Sequence, residues 1–232
     1  MTKLFAPRID PLGDRAVVVR LGDRMDQAVF QRVQALVRCL DERRFPGWIE
    51  QAPAYTTVAV YFDPRKISLA EVRARIEPLL RSVEEVELPT PRTVEIPVCY
   101  GGEFGEDLSF VAEYTGLTPE EVIQIHSSAE YLVYMLGFAP GFPYLGGMPE
   151  RIAAPRRDTP RLTIPAGSVG IAGKQTGIYP IETPGGWQLI GRTPVALFRP
   201  WEDPPSLLRA GDRVRFRPID KQEYHALREQ AR

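Results

Sequence analysis

The sequence predicts an α+β protein in two parts, a βαββαβ unit followed by a closed barrel or sandwich of short strands. Three observations carry this. Residues 1–93 hold 3 Gly and 8 Pro against 16 Gly and 15 Pro in residues 94–232, with 11 Gly and 9 Pro in residues 137–194 alone. Such density forbids long helices and favours short strands joined by tight turns. The first part instead alternates β-branched runs with apolar residues at helical spacing. Two prolines bracket the polar stretch Leu88-Pro-Thr-Pro-Arg92, which places the boundary there. The expected domains are residues 1–88 and 93–220, with residues 221–232 as a polar tail that Asp220 can cap as a short helix.

Arg15-Ala-Val-Val-Val-Arg-Leu21 reads as the first strand. Asp26 caps a helix whose Val29, Val33, Leu36, Val37 and Leu40 share one face. Trp48-Ile49 and residues 55–62 are the next two strands. Ser68-Leu-Ala-Glu71 is a capping box ahead of Val72, Ile76, Leu79 and Leu80, and Pro78 predicts a kink or an early end of that helix. Residues 83–88 supply the last strand, which makes the order ferredoxin-like. The second part opens with a strand over residues 93–100 and a Gly101-Gly102 turn. A short helix over residues 107–114 stops at Gly116, and Thr118-Pro-Glu-Glu121 opens another with cap, proline and glutamate in their preferred places. From Leu132 onward the pattern is short strands and turns. Arg213-Val-Arg-Phe-Arg217 alternates strictly, with its three arginines on an exposed face.

Composition excludes several classes of function. Twenty-nine Lys plus Arg balance 30 Asp plus Glu for a formal charge of -1, without the basic excess that drives nucleic-acid binding. No run reaches the roughly 18–20 apolar residues that span a bilayer, and the first residues lack the apolar core of a secretory signal. With only Cys39 and Cys99, 60 residues apart, the expectation is a soluble cytoplasmic protein with reduced thiols and no membrane partner. The two histidines, His126 and His225, have no second ligand at metal-binding spacing, so no metal site is expected. Around Ser168 a nucleophile elbow fails at Ala166. Gly173-Lys174 fails as a phosphate loop, because Ser168 stands at the first glycine and Gln175 at the magnesium-binding hydroxyl.

Three segments are distinctive: GFAPGFPYLGG at residues 137–147, IPAGSVGIAGKQTGIYP at 164–180 and TPGGWQLIGRTP at 183–194. Joined in this order, they closely resemble the 5-oxoprolinase B-subunit family, also called KipI or allophanate hydrolase subunit 1. His126-Ser-Ser-Ala-Glu-Tyr131 matches as well. The resemblance covers nearly the whole chain and is strongest over residues 96–217. It is looser in the first 90 residues, chiefly Gly13-Asp-Arg-Ala16 and Pro53-Ala-Tyr55. It implies an N-terminal α/β domain and a C-terminal cyclophilin-like barrel of the carboxyltransferase type. It also implies two partners, a larger homologous C subunit (KipA-like) and an A subunit of LamB/YcsF type. The implied reaction is ATP-dependent opening of the lactam of 5-oxo-L-proline to L-glutamate, with ATP and magnesium used by the assembly and no cofactor held tightly by this chain. A lactam is an unstrained amide, and phosphorylating its carbonyl oxygen would turn that oxygen into a leaving group. The family also contains KipI-type inhibitors of a sporulation histidine kinase and halves of biotin-dependent carboxyltransferases, which stand as alternatives.

The candidate residues cluster in the same motifs. The catalytic candidates are His126, Lys174 and Arg192. His126 is either a general base or a cap on the carbonyls of the helix it closes. Lys174 and Gln175 sit between Gly173 and Gly177, where backbone can approach an anion, or else they form a solvated hairpin tip. Arg192 would fork onto a carboxylate or phosphate, or else sit in a structural ion pair. Gln175, Thr176, Tyr179, Glu182 and Gln188 complete a substrate- or ATP-binding set, with Gln188 offering an amide to a lactam or satisfying a strand edge. Phe138, Phe142 and Tyr144 are core or partner-interface aromatics. Arg156, Arg157 and Arg161, around Asp158, are a solvated cluster, a phosphate site or an interface.

Overall fold

In the first part the helices start where local signals predict, while the strand expected over residues 83–88 is absent and one over residues 8–12 is present. The computed structural model describes residues 5–230, so the first four residues of the expected N-terminal domain and the last two of the tail lie outside the described residues. The chain separates into two units, Met1–Thr90 and Pro91–Arg232. Unit one comprises Arg8–Leu12 (β1), Ala16–Arg20 (β2), Gln27–Glu42 (α1), Trp48–Pro53 (β3), Thr57–Phe62 (β4) and Leu69–Ser82 (α2). Its sheet runs β1-β2-β4-β3, every pair antiparallel. Asp26 accepts the Val29 amide at 2.8 Å, and Ser68 and Glu71 close the capping box of α2. Val33, Leu36 and Leu40 of α1 and Val72 and Ile76 of α2 bury against Val17, Val19, Val58 and Val60 of the sheet.

The unit is therefore ββαββα rather than βαββαβ. Residues 83–88 contain a 3₁₀ turn, Val83–Glu85, and no strand. Val83 and Val86 lie three apart, one 3₁₀ turn, with Glu84 and Glu85 between them, and both valines still pack on the core. The place beside β2 is taken by β1, whose Pro11 is tolerated because β1 is an edge. Helix α2 also continues through Pro78 to Ser82 instead of ending early. Burial of Leu79 and Val83 anchors its last turn and outweighs the backbone bond that proline lacks.

Unit two contains Thr93–Tyr100 (β5), Leu108–Thr115 (α3), Pro119–Ser128 (α4), Glu130–Leu136 (β6), Pro143–Gly146 (β7), Arg161–Ile164 (β8), Ser168–Ala172 (β9), Gln175–Ile178 (β10), Thr183–Gly185 (β11), Gln188–Arg192 (β12), Arg213–Ile219 (β13) and Lys221–Gln230 (α5). Seven strands close a barrel in the order β10-β7-β6-β13-β5-β12-β9, while β8 and β11 form a separate ribbon. Strand β13 runs parallel to β5, and the other barrel pairs are antiparallel. The interior holds Ile96, Val98, Tyr131, Val133, Val169, Ile171, Ile190, Val214 and Phe216. The expected polar tail is a docked helix: Tyr224 of α5 is buried with Cys99, Phe104 and Ile219. The arginine stripe of β13 is paired, with Arg213 and Arg215 on Glu130 and Arg217 on Glu95 and Glu223. Among the described residues no helix is long and apolar enough to cross a membrane.

Close backbone approach sets one further constraint. A Cβ at Gly105 would lie 2.1 Å from the Ile190 carbonyl oxygen, so nothing larger than glycine fits between the turn before α3 and β12. Gly105→Ala is expected to destabilise unit two by about 2–3 kcal/mol, read as a lower urea midpoint at unchanged slope.

Candidate functional site

Unit two holds a cleft of about 210 Å³ walled by Phe138, Phe142, Tyr144, Tyr179 and Trp187, with Arg156, Gln175 and Pro184-Gly185-Gly186 completing its lining. Its hub is Phe142, which makes edge-to-face contacts with Phe138 (5.3 Å), Tyr144 (5.3 Å), Tyr179 (5.6 Å) and Trp187 (5.8 Å). Pairs in this geometry each add about 0.5–1.5 kcal/mol beyond area burial. Glycine makes room for them. A Cβ at Gly177 would press on Phe142 at 3.0 Å and Trp187 at 3.1 Å, and one at Gly185 would meet the Tyr179 hydroxyl at 2.5 Å.

The β6–β7 connection supplies the rim. Phe142 N–H donates to Ala139 O at 3.0 Å, and Gly137 N–H donates to Phe142 O at 3.1 Å, closing a tight loop. Within it Phe138 adopts φ 68°, a left-handed backbone that costs a non-glycine residue on the order of 1 kcal/mol. The residue is 65% exposed. Phe142, by contrast, is buried, which moves it from the interface set to the core, and Tyr144 is half-buried.

Strand β10 sorts its candidates by alternation. Gln175 faces the cleft, while the next residue, Thr176, is buried and meets His126. His126 has 0% exposure and stacks on Phe216 at 4.5 Å. Its neighbours fix the tautomer. Thr176 donates its single hydroxyl proton to Gly170 O at 3.0 Å, so Nε2–H donates to Thr176 Oγ1 at 2.9 Å. Nδ1 then accepts the Tyr100 hydroxyl at 2.8 Å. Burial pushes the imidazole down to about 3. No substrate reaches this ring, and at neutral pH it is an uncharged structural strut, which corrects its placement among the catalytic candidates.

The other candidates stand apart from the cleft. Lys174 is at the tip of the β9–β10 hairpin, paired with Glu150 at 2.8 Å and 69% exposed. It is thus the solvated hairpin tip rather than an anion cradle. Gln188 is buried and donates to Pro155 O at 3.0 Å, which satisfies a strand edge. Arg192 places its guanidinium 5.9 Å from the Phe104 ring, facing the Gly102–Phe104 turn. Glu182 is exposed in the turn before β11. Tyr179 lines the cleft with its phenol pushed up to about 12 by burial, so it is a neutral donor.

Trp187, which the sequence does not single out, and Arg156, read there as part of a cluster that is solvated, a phosphate site or an interface, join the cleft. Asp107 explains how the arginine cluster divides. This carboxylate, 6% exposed, accepts Arg157 and Arg161 at 2.9 Å each and the Leu189 amide at 2.7 Å, while its own N–H donates to Leu189 O at 2.8 Å. Arg157 N–H donates to Gly186 O at 2.8 Å, which draws this segment onto the cleft wall. Arg156, adjacent to Arg157, lines the cleft and has no ion-pair partner among the described residues. To a polyphosphate the cleft lining offers one guanidinium and no lysine. Among the described residues no group of three His, Cys, Asp or Glu could hold a metal ion.

Comparison with known proteins defines the class first: residues 7–208 match the family model of the carboxyltransferase domain, subdomain C and D. The chain is 54% identical to the 5-oxoprolinase B subunit of Bacillus subtilis, covering 97% of this chain and 98% of that one. It is 48% identical to the protein of the same name from Escherichia coli O157:H7, covering 89% and 94%. The crystal structure of TTHA0988 superposes with a TM-score of 0.77 at 39% identity, covering 89% of this chain and 40% of that longer one. The chain belongs to the 5-oxoprolinase B-subunit family.

The buried groups make two expectations measurable. Asp107→Asn removes one charge from a closed network and is expected to cost about 3 kcal/mol, measured by urea denaturation. His126 has a folded pKa below its unfolded value near 6.5, so the unfolded chain binds the proton first. Stability present above about pH 6.5 is then lost as pH falls toward 3, by about 2 kcal/mol at pH 5. His126→Gln, less stable at pH 7, is expected to show a correspondingly flatter dependence of unfolding free energy between pH 7 and 5.

Proposed function

We propose that this chain is the B subunit of an ATP-dependent 5-oxoprolinase, which opens the lactam of 5-oxo-L-proline to L-glutamate together with a larger homologous C subunit and an A subunit. The observation that carries this reading is the 54% identity, end to end, with a relative named as that component. The site agrees with it in kind. Flat aromatic walls around a small cleft suit a single five-membered ring, and Gln175 and the neutral Tyr179 offer polar groups beside it. What the cleft lacks is a nucleophile paired with a base, since the one nearby imidazole is sealed in the barrel. On this reading the chain holds and orients its ligand, the partners supply ATP and proton transfer, and the isolated chain is inactive. Phe138, exposed on a strained backbone at the rim, is the aromatic we assign to partner contact. We further read the barrel as cyclophilin-like, and the N-terminal sheet as a ferredoxin-like variant in which β1 replaces the last strand.

Co-expression with its A and C partners tests this. Glutamate and ADP are expected from 5-oxoproline with all three chains, and neither above background when this chain is omitted or assayed alone. Steady ATP hydrolysis by the pure chain, or full activity without it, would overturn the assignment.

A further inference from the structure

We propose that Arg156 anchors the carboxylate of a small cyclic acid seated in the aromatic cleft, so that this chain selects the acid over the corresponding neutral lactam. The proposal rests on the 5-oxoprolinase reading for the identity of the acid, and on the cleft alone for its chemistry.

Three arginines lie within six residues, and the structure separates them. Arg157 and Arg161 converge on buried Asp107, and Arg161 also reaches Glu106 at 3.1 Å. Their charges are compensated and their side chains fixed. Arg156 alone of the three faces the cleft, with no ion-pair partner among the described residues, and no Asp or Glu appears in the cleft lining. The cleft thus presents one uncompensated positive charge beside aromatic walls, with Gln175 as a neutral amide. The complementary ligand carries one negative charge on a compact, flat, weakly polar body. A volume near 210 Å³ suits a single ring. A guanidinium fork matches a carboxylate in a way that a lysine cannot.

The segment that delivers Arg156 is held on both sides. Gly173 N–H bonds Ala154 O at 2.7 Å before it, and Arg157 N–H bonds Gly186 O at 2.8 Å after it. Arg157, fixed on Asp107 by its side chain and on Gly186 by its N–H, places its neighbour Arg156 at the cleft. Asp107 is accordingly a positioning residue for Arg156.

The test compares 5-oxo-L-proline with 2-pyrrolidinone, the same lactam without its carboxylate, in the three-subunit assembly. Arg156→Gln is expected to reduce the preference for 5-oxoproline, as the ratio of kcat/KM values or of competitive inhibition constants, by about 10–100-fold, the size of a charge-assisted contact, mainly through KM. Arg156→Lys should recover part of it. An unchanged ratio, or equal losses on both compounds, would overturn the proposal. A second measurement separates this from the functional reading. The isolated full chain is titrated with each compound and the Trp187 indole resonance followed, assigned with Trp187→Phe. A shift with 5-oxoproline that Arg156→Gln abolishes upholds the anchor even if the assembly proves inactive on 5-oxoproline, in which case only the functional reading falls. No shift, or a shift indifferent to Arg156, overturns the anchor.

Discussion

One buried carboxylate organises the functional face of this protein. Asp107 sits where α3 begins, and its two oxygens take both guanidinium groups of Arg157 and Arg161 together with the Leu189 amide. Removing a carboxylate from water costs several kcal/mol unless its lone pairs are filled, and here four donors fill them. The network crosses from a helix to a barrel strand and to the β8 ribbon, elements distant in sequence. It sets where the segment carrying Arg156 lies, and so which charge faces the cleft. The aromatic wall depends on the same arrangement, because Gly186 and Trp187 stand on the turn that Arg157 holds.

Features set by neighbouring residues are legible in the sequence. Both capping boxes and the αL stop at Gly116 depend on contacts within a few positions. The exchange of strands in the first unit is not. Pro11 marks residues 8–12 as unfavourable strand, and only their place at a sheet edge makes the proline harmless. Residues 83–88 look extended by composition, yet burial of Val83 and Val86 at 3₁₀ spacing decides their course. Edge position is a property of the assembled sheet, which no local window contains.

The candidate site divides along the same line. Gln175 and Tyr179, expected in a binding set, line the cleft, and so do Phe138 and Tyr144, which the sequence offers only as core or partner-interface aromatics. His126 misleads because its residue type suggests chemistry while its burial forbids it. A ring whose two nitrogens are filled by Tyr100 and Thr176 inside a barrel has neither the charge nor the access that a base requires. Arg156 cannot be told from Arg157 by any feature of the cluster, since the difference lies in an aspartate 50 positions away from Arg157.

These outcomes bear on how labour is divided in an assembly of this kind. Proton transfer needs a group whose pKa lies near the working pH and which can reach the substrate. Around the cleft, burial moves the phenol of Tyr179 up to about 12 and the imidazole behind it down to about 3, both away from that range. The same burial sharpens binding, because rigid aromatic walls lose little freedom when a ligand enters. A surface built in this way is suited to holding a small acid in one orientation. On the proposed reading, the groups that move protons in breaking the amide bond come from another chain.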